Sequence, residues 1–515
     1  MGEGTSAPDR TQGEVRWRWN GFLPRSFLFS ADRLDRAPEN LNRVPVPEGE
    51  LYVSPDYVCH VQAFEDSFIA LVGYCCDLAN PCAREPEITA TLLRVATRDG
   101  IDAMLASTDD LLGRFAAICR IRGRWWVFAD ATAIRTIYFA EGKRAVASHS
   151  TLLGTLIGAA PRVEMFQHYW CGLPGNAAPV PGVRALPADF ALDLDTRAIR
   201  RFWPRAERVE RSVSDVIGGF EEALVRAARA TAVRWKPVLS LTAGLDSRLS
   251  LAMLRDTPGL AAFTYHLREW HDADAAIARQ LCERLGIEHR TLAAVERSRA
   301  ESAYQLIESI VDCTFEKRVA VLMLGAFGSE PDIIHVRSNL AEIGRAFWRG
   351  HTGMPRRLDP SNWTHVGLKE SVRRLPRRAE AERYLREEMA RFFTMAGYDT
   401  NNPSIKGYDI WDLVYTEHRM STWHGQALLG TDMTFDTSIL FNARRVLEPM
   451  LAVPYADRRN GTLLREVVAR RCPEIAGIPV NPRPRRGMRE LGAAAYRQLK
   501  RRSAIVRAIA GSAGA

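Results

Sequence analysis

The stretch VLSLTAGLDSR, residues 238–248, decides how this chain is read. An unbroken apolar run ends at Leu241 and meets the small residues Ala243 and Gly244, the pattern of a fully buried strand entering a turn. Helical spacing begins near Asp246, so strand, turn and helix follow one another without a break. Open α/β sheets take ligands outside the carboxyl ends of their strands, where small residues let backbone N–H groups approach a phosphate. The positive end of the following helix adds to the attraction. Ser240, Leu241, Thr242, Ala243, Gly244, Asp246 and Ser247 are therefore the candidate nucleotide contacts. An acid beside a phosphate is repulsive unless a cation lies between them, and Mg²⁺ prefers carboxylate and phosphate oxygens, so Asp246 points to that ion. The competing reading is that Asp246 and Ser247 only cap the helix.

The surroundings have the same texture. A long amphipathic helix over SVSDVIGGFEEALVRAARATAVRW precedes the run, and the strand LAAFTYHL and the helix DADAAIARQLCERLG follow it. Strands alternating with helices imply a parallel sheet covered on both faces. Beyond Tyr304 the pattern is largely helical, with DIIHVRSN as one inserted strand. Upstream, the pairs RFAAICRIRGRWWVFAD, TIYFAEGKRAVASHS and PADFALDLDTRAIRRFW read as strand, turn, strand, so the first two hundred or so residues are mostly antiparallel sheet. The texture changes between Pro204 and Ser212, which divides the chain into residues 1–205 and 206–515.

Composition bounds the function. The chain has 515 residues, 46% of them hydrophobic and 25% charged, as in a globular protein of about two domains. No apolar stretch is long enough to span a bilayer, and MGEGTSAPDRTQGEVRWRWN lacks the apolar centre of a secretory signal, so a cytoplasmic protein without a membrane partner is expected. Nine scattered cysteines fit reduced thiols, and no Cys or His pair completes a zinc site with Cys75, Cys76 and Cys82. The net charge of +9 arises from 70 basic against 61 acidic residues, with much of the excess in the C-terminal tail. Such a tail is either a solvated helix face or a contact for an anionic partner.

TAGLDSR resembles the SGGxDS loop of the PP-loop ATP pyrophosphatases, with Thr242 for the family's Ser, Ala243 for its first Gly, and Gly244, Asp246 and Ser247 matching. The likeness extends to the asparagine synthetase and β-lactam synthetase group. DADAAIARQLCERLGIEH is similar to that group's Asp-containing helix, and VRSNLAEIGRAF to its second loop, Gly-x-Gly-x-Asp. Here Ser338 and Leu340 replace the glycines and Glu342 takes the acidic place. FDTSILFNARRVLEPMLAVPYADRR resembles the helical end of the same domain. FIALVGYCC, LLGRFAAICR and FADATAIRTIYFAEGKRAVASHSTLL follow the group's glutaminase-like half in order.

The resemblance implies an α/β protein: a degenerate Ntn-type glutaminase-like αββα sandwich over residues 1–205, then a PP-loop, adenine nucleotide α-hydrolase-like parallel-sheet domain over 206–515. The latter would carry a helical C-terminal part and the basic tail. The group's glutaminases use a Cys at position two, and Gly2 stands there, so glutamine hydrolysis is not expected. What remains is carboxylate activation. A substrate carboxylate attacks the α-phosphorus of ATP, pyrophosphate leaves, and a substrate amine displaces AMP to give an amide, as in the lactam-forming relatives and the lasso peptide cyclases.

The resemblance further implies ATP and Mg²⁺ as ligands, Asp246 and Glu342 as metal ligands, and Ser338 beside the nucleotide. Arg345 would act on phosphate, with an ion pair to Glu342 as its other reading. Arg483 in IPVNPRPRRG would stand in for the group's lysine. The partner would be a small molecule or peptide carrying carboxylate and amine, brought in some systems by a delivering protein; nucleic acid is not expected. Two other readings stay open: a PP-loop RNA-modifying enzyme, which would suit the basic tail, and a non-catalytic nucleotide-binding protein, which would suit Ala243, Ser338 and Leu340. Arg248 would reach phosphate or solvent, His289 reads as structural, and YDIWDLVYTEHRMSTWHG reads as a helix packed in the core.

Overall fold

The computed structural model of the chain describes residues 23–162, 172–267, 271–310, 317–328, 330, 332–349, 378–398 and 405–482. Twelve strands occupy the first half of the described chain. They are β1 Phe27–Ser30, β2 Asn42–Val44, β3 Glu50–Val53, β4 Cys59–Phe64, β5 Ser67–Asp77, β6 Leu111–Ile121, β7 Arg124–Ala129, β8 Tyr138–Ala140, β9 Ala145–Ala147, β10 Val183–Ala185, β11 Phe190–Asp193 and β12 Ala198–Arg201. They form two six-stranded sheets, ordered β10-β8-β9-β1-β3-β2 and β12-β11-β7-β6-β5-β4. Every pairing in both is antiparallel.

The long apolar strands β5 and β6 run side by side from Phe68↔Arg120 to Asp77↔Leu111. Both are buried nearly throughout, as strands sandwiched between layers must be. The tight hairpin from β6 to β7 needs two left-handed residues in succession, and Arg122 and Gly123 supply φ of 49° and 81°. Phe29 of the first sheet meets Trp125 of the second with ring centroids 4.9 Å apart, so the two sheets share one core. Helix α1, Glu85–Asp99, packs on the second sheet, and α2, Ser150–Ile157, packs on the first. The result is the layered sandwich that the sequence predicts.

The second architecture is a five-stranded, wholly parallel sheet. Its strands are β13 Lys236–Ser240, β14 Ala261–His266, β15 Glu288–Ala293, β16 Ile333–Arg337 and β17 Asp436–Ile439, in the order β15-β14-β13-β16-β17. Helix α3, Val213–Ala232, opens with Ser212 accepting from the Asp215 N–H and precedes β13. Helix α4, Leu245–Leu254, leads from β13 toward β14, and α5, Asp272–Leu285, leads from β14 to β15. FDTSILFN, expected in a helical region, instead contains β17. Its alternate residues are too few to show a period, and its strand state is set by pairing with β16 from Ile334↔Asp436 to Arg337↔Ile439.

This strand order has one decisive property. From β13 the chain winds outward through β14 to β15, then returns to the other side of β13 for β16 and β17. The winding therefore reverses between β13 and β16, and the carboxyl ends of those two strands border the crevice where open α/β sheets receive ligands.

Buried ion pairs tie the sandwich to the rest. Arg114 of β6 holds the Asp432 carboxylate, Arg201 of β12 holds Glu417, and Arg444 holds Asp189 at 2.9 Å. Among the described residues, no helix is long and apolar enough to cross a membrane.

Candidate active site

The loop after β13 and the loop after β16 carry the candidate residues to the reversal point. Thr242 donates its N–H to Ser247 Oγ at 3.1 Å, and the two hydroxyls lie 3.1 Å apart. Gly244 donates to Thr242 Oγ1 at 3.1 Å, and Ala243 to the Asp274 carboxylate on α5 at 2.8 Å. The turn is thus held in shape by its own hydroxyls and by one acid from the neighbouring helix. Ser240 Oγ donates to the Val336 carbonyl at 3.3 Å, linking the ends of β13 and β16. Behind the loop, Thr264 Oγ1 donates to the Leu241 carbonyl at 2.7 Å and lies 3.0 Å from His289 Nε2, which gives His289 its structural role.

One reading of this turn is corrected by the geometry. Asp246 and Ser247 do not cap α4: its N-cap is Gly244, without a side-chain cap, and Ser247 serves the loop. Ala243 is buried. The first N–H groups of α4 have no partners within the helix, so together with the helix dipole they make a positive end for an anion.

Asp246 meets the second loop. Arg345 holds it with both prongs, Nε to Oδ1 at 2.9 Å and Nη2 to Oδ2 at 2.5 Å. The alternative reading of Arg345, an ion pair with Glu342, is therefore corrected: its partner is Asp246. Leu340, where the resemblance has glycine, takes φ of 78° in the loop after β16, and a short 3₁₀ turn, Ile343–Arg345, follows with Glu342 just before it. From the end of that turn Arg345 reaches Asp246 on α4. Glu342 keeps one oxygen, Oε2, shut off from water and without a hydrogen-bond partner. Burial pushes its carboxyl up to about 7, and the Asp246 charge pushes the same way. Asp246 is itself raised by burial, against the pull of Arg345. Ser338 donates to Ser250 Oγ at 2.8 Å, which seats the second loop against α4.

An orphaned carboxylate oxygen beside a second carboxylate suits a divalent cation. Mg²⁺ takes one or two protein carboxylates and completes its shell with phosphate oxygens and water. Among the described residues, no group of three or more His, Cys, Asp and Glu converges on one point. Asp246 and Glu342 fit a metal that arrives with phosphate, once Arg345 releases Asp246.

Other residues of the site left little trace in the sequence. A ten-residue π-helical stretch, Tyr415–His424, faces the second loop, and such stretches recur at functional sites. Its Tyr415 and Arg419 sit close enough to Glu342 to act on its charge. Arg419 lies over the Trp423 ring at 4.3 Å and the Trp348 ring at 5.6 Å. Asn481 donates its N–H to the Ala243 carbonyl at 3.0 Å, closing the loop from the far end of the chain. Arg248, expected at phosphate or in solvent, does neither: it is buried against the backbone of residues 475–479. Arg483 lies outside the described residues.

Neither a protein-family model nor a curated protein matches the chain. Among solved structures, NMN synthetase from Francisella tularensis is 16% identical, covering 41% of this chain and 97% of its own, with a TM-score of 0.21. The glutamine phosphoribosylpyrophosphate amidotransferase from B. subtilis, complexed with ADP and GMP, is 12% identical over 62% and 70%, with a TM-score of 0.21. The glutamine-dependent NAD+ synthetase from Acinetobacter baumannii, in complex with ADP, is 13% identical over 51% and 67%, with a TM-score of 0.20. Scores of this size carry no weight for function, so the assignment of fold rests on the strand order and register of the chain itself.

Proposed function

We propose that the chain is an ATP-dependent, AMP-forming amide ligase that adenylates a substrate carboxylate for attack by a substrate amine. The observation that carries this reading is the meeting of Asp246, Glu342 and Arg345 at the point where the parallel sheet reverses its winding. A turn with a free helix end receives phosphate, and the paired acids receive the cation that comes with it.

In this reading a carboxylate oxygen of the substrate bonds to the α-phosphorus, and the bond to the bridging oxygen of pyrophosphate breaks. The amine then attacks the acyl carbon, loses a proton, and AMP departs with the electron pair of its former acyl bond. Asp246 and Glu342 would hold Mg²⁺, which neutralises phosphate charge when bound. Arg345, released from Asp246, would follow the charge that builds on the leaving pyrophosphate. Arg483 is the next guanidinium of the chain beyond Asn481 and would serve the same charge. Asp274 and the Thr242 and Ser247 hydroxyls keep the loop in shape while this happens. The substrate would be a small molecule or peptide with both groups, presented alone or by a delivering protein.

The test is ATP–pyrophosphate exchange in the purified protein, run with candidate carboxylates and compared with Asp246→Ala. Exchange that depends on a carboxylate and disappears in the variant supports the ligase. A second reading, nucleotide binding without turnover, is favoured by Arg345 occupying both oxygens of Asp246. It predicts bound magnesium-ATP and no exchange with any carboxylate.

A further inference from the structure

Arg248 stands one residue after Ser247 on α4, and at 1% exposed it is among the most deeply buried charges of the protein. A buried guanidinium normally takes a carboxylate partner, because removing the charge from water is costly. Arg248 takes main-chain carbonyls instead. It donates to Ile475 at 3.4 Å, to Pro479 at 2.8 Å, and to Ile478. Three carbonyls of one short segment thus converge on a single cation, which fixes the path of that segment across the start of α4.

The same segment then touches the loop. Asn481 turns the chain with φ of 47° and donates its N–H to the Ala243 carbonyl at 3.0 Å. The Ala243 N–H is already held by Asp274, so the peptide groups on both sides of this residue are fixed. A second tie, Arg255 to Glu474 at 3.0 Å, holds the strap at its outer end, away from the loop.

We propose that Arg248 is a positioning residue: it docks residues 475–481 onto the nucleotide loop, so that Asn481 locks the Ala243 peptide. This rests on the ligase reading of that loop. The strap adds to the bonds that Thr242, Ser247 and Asp274 already make in the turn: it holds the Ala243 carbonyl from the other end of the domain.

The test uses the full chain with Arg248→Met, Arg248→Lys and, as a control on the same strap, Glu474→Ala. Thermal unfolding first identifies the variants that fold. Arg248→Met is expected to raise KM for magnesium-ATP at least tenfold while kcat changes less than threefold. Arg248→Lys, which can satisfy fewer of the carbonyls, should fall between Met and wild type, and Glu474→Ala should stay within twofold of wild type. Where Arg248→Met does not fold, Arg248→Lys carries the test with an expected loss of threefold or more. Hydrogen exchange without nucleotide is the independent arm: the Ile478 and Asn481 amides should exchange about tenfold faster in the Met or Lys variant that folds. Unchanged KM overturns the positioning role while the ligase reading stands. Unchanged exchange overturns the docking of the strap. If wild type itself binds no magnesium-ATP, the ligase reading falls and the nucleotide role of Arg248 with it, and the exchange rates still decide whether Arg248 holds the strap.

Discussion

Arg345 and Asp246, 99 residues apart in the chain, form a two-pronged ion pair at the reversal point of the parallel sheet, with Nε 2.9 Å from Oδ1. The pair occupies the carboxylate that the proposed cation requires, so cation binding and the pair exclude one another. Arg345→Gln should therefore bind Mn²⁺ in the absence of nucleotide more tightly than wild type. A partly screened pair is worth about 1 kcal/mol, which corresponds to about fivefold in affinity. Titration followed by electron paramagnetic resonance measures this, and equal affinity in the two proteins would show that the pair does not compete with the ion.

Asp274 is predicted to matter through one hydrogen bond. Removing its carboxylate leaves the Ala243 N–H without its acceptor, at a cost of about 1–3 kcal/mol. Asp274→Ala should lose about that much stability in urea unfolding. Asp274→Asn, which retains a carbonyl oxygen at the same place, should lose much less. Equal losses would mean that the charge, and not the hydrogen bond, holds the turn.

Asp432 joins the two architectures. Its carboxylate is fully buried between Arg114 and Arg135, with Arg114 Nη2 at 2.9 Å from Oδ2. Truncating one partner of such a group strands the other charge without solvent, a loss of about 3–5 kcal/mol. Asp432→Ala is expected to lose that much by chemical denaturation, and Asp432→Leu combined with Arg114→Met and Arg135→Met should recover part of it, because both stranded charges are then removed as well. A triple variant as weak as the single one would count against this account.

The pH dependence of stability follows from buried imidazoles. Burial pushes His149 down to about 3 and His418 down to about 4, and it depresses His335 and His424 as well. The unfolded chain takes up these protons near pH 6.5, whereas the folded chain does not, so the unfolded state binds more protons between those values. Stability is thus fully present above about pH 6.5 and is lost as pH falls toward 4. Each such histidine contributes about 2 kcal/mol of loss between pH 6.5 and pH 5. Unfolding midpoints across this range should fall steeply in wild type and less steeply in His149→Asn.

Much of this fold is legible in the sequence because its strongest signals are local. Val238 and Leu239 announce a buried strand, and Ala243 and Gly244 announce its turn. The β6–β7 hairpin is visible in Arg122–Gly123. What stays hidden depends on partners distant in sequence. Arg345 lies three residues from Glu342, yet its partner is Asp246, and only the fold brings α4 beside the second loop. Arg248 reads as a solvent or phosphate contact because its acceptors are backbone carbonyls, which carry no sequence signature. β17 is four residues long and gains its state from β16. The π-helical register of Tyr415–His424 has no periodicity that separates it from an ordinary helix.

The most direct measurement of the central claim is calorimetric titration of the full chain with a non-hydrolysable ATP analogue and magnesium, in wild type and Asp246→Asn. One equivalent bound by wild type, with affinity reduced at least a hundredfold when Asp246 loses its charge or when magnesium is withheld, is the result predicted. Binding that is equally tight in the variant, or no binding to folded wild type, would contradict the placement of a metal-bound triphosphate at this turn.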